Sequence, residues 1–262
     1  MADEAVERSA AAELERRVRE QTPARLMEGR AGTSYRTATQ LHLRGDHAAA
    51  RDAVRTELDL IADLGQEFIE HWRVFEVSTR ARSKDEYLLR PDLGRTFEAA
   101  AREAIRERCP AGRRLQIVIG DGLSVRAVTA QVPRLLPLLI VGAAQRGWQT
   151  GRCFAVRHCR VGAMNEIGEL LAPEVVVLLV GERPGLATAE SLSAYLAYRP
   201  RPGHSDAERN LVSNIHSAGV PPEEAAQRIL NLAAAMLRER TSGVQLKEQF
   251  EASRPKLDSG KS

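Results

Sequence analysis

Residues 113–147 read RRLQIVIGDGLSVRAVTAQVPRLLPLLIVGAAQRG. Leu115, Ile117, Val118 and Ile119 make a short apolar run that Gly120 ends, and DGLS at 121–124 opens a long apolar-periodic stretch to Gly147. A short unbroken run predicts a strand covered on both faces, and a longer periodic one predicts a helix. The segment therefore reads as strand, loop, helix.

The same order recurs downstream. CFAVRHCRVG (153–162) predicts a second strand, NEIGELLA (165–172) a short helix, and EVVVLLVG (174–181) a third strand, with an apolar run from Val175 to Val180. SLSAYLAYRP (191–200) and ERNLVSNI (208–215) alternate as strands do. PPEEAAQRILNLAAAMLRER (221–240) starts with prolines and glutamates, keeps an apolar side and stops before Gly243, as a helix does. Strands alternating with helices imply an α/β domain built on a doubly wound, mainly parallel, Rossmann-like sheet, placed at residues 113–247. A smaller helical region, 1–112, precedes it, and the polar tail 248–262 is expected to be disordered.

Within the front region, residues 4–20 (EAVERSAAAELERRVRE) predict a helix with one narrow apolar face. It reads either as a docked terminal helix or as an attachment helix for a partner or shell. A second helix is expected from Asp46 as N-cap to a stop at Gly65. HWRVFEVSTR (71–80) is richer in β-branched and aromatic residues and predicts a short extended piece.

Composition narrows the function. Lys plus Arg number 38 against 35 Asp plus Glu, a formal charge of +3, which argues against a protein that binds nucleic-acid backbone. Apolar residues make up 43% of 262, enough for a substantial core. No window approaches the ~18–20 consecutive apolar residues of a membrane helix, and no signal peptide is evident, so a cytoplasmic protein is expected. Three cysteines, Cys109, Cys153 and Cys159, imply reduced thiols rather than a disulfide framework.

Ligands of such sheets sit at the carboxyl ends of the strands, so three loops matter: DGLS, the RVG stretch of 160–162, and GERPGL at 181–186. Gly120 and Gly122 resemble a phosphate-binding turn, but Val125 stands where a dinucleotide fingerprint needs glycine, and GxxxxGK is absent. A tight turn with Asp121 or Ser124 capping the helix is the simpler reading. Ser124 as a nucleophile lacks the GxSxG elbow. His42, His47, His71, His158, His204 and His216 lie in unlike contexts and favour no catalytic base. Cys153 and Cys159 around His158 do not have structural-zinc spacing, and a half-buried strand explains them better. In GERPGL, glutamate and arginine follow directly on a buried strand, where their head groups reach the ligand-bearing edge; Pro184 and Gly185 also suit a plain turn.

Read in order, these stretches resemble the small subunit of ethanolamine ammonia-lyase. The matching segments are GRAGTSYRT (29–37), DHAAARDAV (46–54), YLLRPDLGR (87–95), DGLS, EIGELL (166–171), GERPGL, SLSAYLAYRPRPG (191–203), DAERN (206–210), SNI (213–215) and SGVQLK (242–247). The resemblance covers the chain from about residue 25 to 247.

The resemblance implies an adenosylcobalamin-dependent ammonia-lyase that converts ethanolamine to acetaldehyde and ammonia by a radical route, active only with a larger TIM-barrel subunit that carries the catalytic groups. The partner is expected in a hetero-oligomer for which six of each chain is a candidate count, with no nucleic acid and no membrane involved. Cofactor-contacting positions carried over by motif are Val161 in CRVG, Glu182 in GERPG, and Leu211, which stands where the family often has cysteine. Asp-x-His-x-x-Gly is absent, so binding with the cofactor's own base on cobalt is expected. The location implied is cytoplasmic, or a bacterial microcompartment to which the first helix would be a short address. The alternatives are a stand-alone nucleotide-binding domain and a scaffold subunit without cofactor contacts.

Overall fold

The computed structural model describes residues 13–18, 20, 30–185 and 188–246. Of the helix expected at 4–20, residues 13–18 and 20 are helical, and the rest lies outside the described residues, as does the tail 248–262. A hairpin of β1 (Arg30–Ala31) with β2 (Ser34–Tyr35) leads into α1 (Thr37–Arg55), α2 (Leu60–Leu64), α3 (Gln66–Trp72), β3 (Phe75–Ser78), α4 (Lys84–Leu89) and α5 (Ala99–Arg108). The helix expected from Asp46 to Gly65 is thus two helices, the first beginning at Thr37. The break exists because Leu58 leaves the helix to enter the core and Asp59 caps a new one, accepting from the Ile61 and Ala62 amides at 3.1 and 3.0 Å. Gly65, at φ +84°, ends it as expected.

Then follow β4 (Leu115–Gly120), α6 (Val125–Gln145), β5 (Phe154–Arg157), α7 (Ala163–Leu171), β6 (Val175–Gly181), β7 (Leu192–Tyr198), β8 (Asn210–Ile215) and α8 (Pro222–Glu239). Six strands form one mixed sheet in the order β3-β5-β4-β6-β7-β8. The pairings from β3 to β6 are parallel, and β6–β7 and β7–β8 are antiparallel. The α/β class and the parallel centre follow the expectation of a mainly parallel sheet, and the antiparallel edge of β7 and β8 departs from a Rossmann-like, doubly wound arrangement. Alternation and apolar runs report which faces are covered, not strand direction. The extended piece expected at 71–80 is β3, and although it precedes residue 113 it forms the edge of this same sheet.

Helices cover both faces. Leu115, Ile117 and Ile119 of β4, with Val175, Val177 and Leu179 of β6, join α6 and α8 in one apolar cluster. Val118, Val176, Leu178 and Val180 face the other way, with Ile105 of α5 and Met164 and Ile167 of α7. Burial on both sides is why β4 and β6 read as continuous apolar runs. Among the described residues, α6 alone would suit a bilayer by length and composition, but half of its most apolar 18-residue window is buried in the protein. Past β6 the α5–α7 face of the sheet opens: Leu211 on β8 is 43% exposed and Ser213 is exposed.

Beside it, α7 seats closely against the residues that follow β7. At Gly168 an added Cβ would lie 1.8 Å from the Pro200 carbonyl oxygen, so only glycine permits the approach. Gly168→Ala is expected to lose about 1–3 kcal/mol by overpacking. Equilibrium urea denaturation measures it, and an unchanged midpoint would contradict the packing described.

Candidate functional site

Asp121, immediately after β4, is fully buried. Its carboxylate accepts from the His158 amide at 2.9 Å, the Cys159 amide at 2.8 Å and Lys84 Nζ at 3.2 Å. Lys84, itself buried on α4, also donates to the Gly122 carbonyl at 2.8 Å. One carboxylate therefore joins the carboxyl ends of β4 and β5 to the front region. It does not cap α6, as the sequence suggested; Ser124 does occupy the N-cap position, but its hydroxyl donates to the Ala189 carbonyl and makes no capping bond. The long-range amides of 158 and 159 are the better donors because their loop ends beside Asp121.

The segment YLLRPDLGR packs on the same loop. Tyr87 donates from its hydroxyl to the Cys159 carbonyl at 3.2 Å, Arg160 lies over the Tyr87 ring at 4.1 Å, and the Arg160 amide donates to Gly94 O at 2.8 Å. An added Cβ at Gly94 would meet Arg160 Cγ at 2.7 Å and the His158 carbonyl at 2.8 Å. Val161, next along, is thereby held half-buried at the rim of a cavity of about 550 Å³, shared with Arg160, Tyr195, His204 and Arg209. Glu166, one turn into α7, accepts from the Phe97 amide at 2.8 Å and from Arg102, which ties this wall to the front region.

Glu182 sits at the end of β6 and gathers three segments distant in sequence. Its carboxylate accepts from the Ser191 hydroxyl at 2.8 Å, from the Ser193 hydroxyl, and from the Asn214 amide at 3.1 Å. Asn214, at φ +59°, is in turn bonded through its side chain to His216 at 2.8 Å. GERPGL, SLSAY and SNI thus meet at one half-buried carboxylate that keeps acceptor capacity for a further donor. Ser191, Ser193 and Asn214 were not singled out from sequence; serines placed alternately in a strand were the available signal. Leu211 pairs with Tyr195, and Tyr195 with Leu178 of β6, so all three share a face. Val161, Glu182 and Leu211 therefore stand along one face of the sheet, although only Val161 lines the cavity.

The other candidate loops are used by the fold. Gly122, at φ +58°, has no room for a Cβ, which would lie 2.3 Å from Gly181 O, and the Leu123 amide donates to that same carbonyl at 3.0 Å. The DGLS turn spends the Asp121 and Leu123 amides and the Ser124 hydroxyl on the chain itself. Cys153 belongs to the α6–α8 cluster and Cys159 to the α5–α7 cluster, on opposite faces of the sheet, so the pair does not form a common ligand set. Burial raises the pKa of all three thiols, that of Cys109 to about 11. His158, buried, bonds the Ala81 carbonyl through Nδ1 at 2.9 Å and serves the loop's geometry.

Comparison with known proteins places this geometry in context. The family model "Ethanolamine ammonia-lyase light chain (EutC)" matches residues 12–247. The small subunit of ethanolamine ammonia-lyase from Clostridium perfringens is 46% identical over 226 residues, 86% of this chain and 75% of that protein. The same subunit from Clostridioides difficile is 46% identical with the same coverage. That from Listeria monocytogenes is 44% identical over 231 residues, 88% of this chain and 77% of that protein.

Two outcomes follow from the buried groups. Lys84→Met leaves a carboxylate without its buried counter-ion and is expected to cost about 3–5 kcal/mol in urea unfolding, part of it recovered by adding Asp121→Asn. A loss under about 1 kcal/mol would mean that the pair does not anchor the loops. The three buried thiols should resist a water-soluble disulfide reagent at pH 8 in the native chain and react together after unfolding, because at that pH each lies below its raised pKa. Fast native labelling would contradict their burial.

Proposed function

The chain belongs to the ethanolamine ammonia-lyase light chain family, and we propose that it is the cofactor-clamping small subunit of that enzyme. In this reading it joins a large catalytic subunit, contributes one wall of an adenosylcobalamin site, and has no lyase activity alone. What supports the reading is that Val161, Glu182 and Leu211 lie on the same side of the sheet, Val161 at the cavity and Leu211 exposed.

The residues present suit such a ligand. Cobalamin is fringed with amides, which need acceptors, and carries carbonyl and phosphate oxygens, which need donors. Glu182 offers the acceptor, and Val161 and Leu211 offer apolar contact. At the cavity wall, Arg160 Nε, Arg209 Nε and His204 Nδ1 are buried without acceptors among the described residues. Arg201 donates to His204 Nε2 at 3.0 Å, which leaves the proton of the neutral ring on Nδ1. When bound, adenosylcobalamin supplies the radical that starts the conversion of ethanolamine to acetaldehyde and ammonia. This chain's part is to hold the cofactor's rim through Glu182, to exclude water with the apolar wall, and to keep the cleft in shape through Asp121. No cobalt ligand comes from this chain in the proposal, and the front residues up to 112 serve assembly. The working location is the cytoplasm, with a microcompartment reached through the first helix as the variant of it.

A scaffold role is the competing reading, because Glu182 is held by partners of its own chain. Co-expression with the large subunit, sizing of the complex, and measurement of acetaldehyde release separate the two. The proposal expects a stable hetero-oligomer that is active only with adenosylcobalamin, and for Glu182→Ala an apparent cofactor KM raised about tenfold or more with assembly intact. An unchanged KM would favour the scaffold, and failure to form a complex would contradict both.

A further inference from the structure

Tyr195 stands where the parts of the proposed site meet. On β7 it is in register with Leu211 of β8, and it lines the cavity beside Val161. Val161 and Tyr195 both pack, half-buried, on the apolar cluster under α7. Two residues back along the strand, on the same face, Ser193 holds Glu182. Tyr195 thus neighbours Leu211 across the strand pair and shares the cavity with Val161, and the strand that carries it also fixes the acidic position.

The hydroxyl is placed to donate. Burial raises its pKa, Asp206 and Glu182 add to that, and Arg209 opposes it, so the phenol keeps its proton at neutral pH. No hydrogen bond ties it to another of the described residues. A half-buried aromatic ring with an unused hydroxyl, at the centre of an open face, is built for contact with a ligand.

On the reading above, we propose that Tyr195 is a further cofactor-contacting residue, its ring lying against a flat conjugated face of the ligand and its hydroxyl donating to a ligand oxygen. That face has two sources, the corrin ring and the heterocyclic base of the nucleotide tail. The complex with the large subunit is titrated with hydroxocobalamin and, separately, with dicyanocobinamide, which lacks the base, and binding is followed by equilibrium dialysis.

Tyr195→Leu keeps apolar volume but loses the flat ring, so a structural role would survive it. The proposal expects the hydroxocobalamin Kd to rise about tenfold in this variant with sizing and urea midpoint unchanged, and about threefold in Tyr195→Phe. A matching loss for cobinamide assigns the contact to the corrin; a loss confined to hydroxocobalamin assigns it to the base. If Tyr195→Leu stays within about twofold while Glu182→Ala weakens binding about tenfold, the role of Tyr195 is overturned and the cofactor reading stands. If neither variant weakens binding, both fall.

Discussion

One buried carboxylate sets the geometry on which the rest of this molecule depends. Asp121 is removed from water, where an isolated charge costs several kcal/mol, and it is tolerated only because two backbone amides and the Lys84 ammonium surround it. Those donors come from the end of β5 and from α4. The energetic demand for satisfaction therefore acts as a positional demand: the loop after β5 and the front region must stay where the carboxylate can reach them. Val161 lies three residues from His158 on that loop, and its place at the cavity follows.

A second carboxylate works with the opposite purpose. Glu182 is half-buried, not sealed, and its partners are hydroxyls and a backbone amide instead of a counter-charge. Such partners hold a carboxylate in position while leaving its charge and a lone pair for a donor from outside. The antiparallel edge formed by β7 and β8 makes this possible, because it brings serines and an asparagine amide beside the end of β6 where a parallel crossover would have brought a helix. It also leaves the sheet face uncovered there, with Leu211 exposed.

The elements were legible where burial leaves a local trace. Val175–Val180 is apolar at every position because both faces are covered, and β4, β5, α7 and α8 were readable for similar reasons. The helix break at Leu58 was missed because it answers to the core and not to helix propensity. The antiparallel edge was missed because periodicity carries no direction. In the site, Val161, Glu182 and Leu211 came from resemblance of the loops to a known family, and the structure adds why those loops belong together. Glu182 is bonded to residues 9, 11 and 32 positions away, and Asp121 to residues 37 and 38 away, separations at which sequence patterns say nothing about pairing. The reading of Asp121 as a helix cap failed for that reason.

In the proposal, a cobalamin lies on the open face between β6 and β8, against Val161, Glu182 and Leu211. A structure of the complex with the large subunit, loaded with a cob(III)alamin, tests it most directly. Ligand density in contact with all three residues, reaching the cavity that Tyr195 lines, is the expected result. Density held wholly by the large subunit, or seated against the DGLS turn, would contradict it.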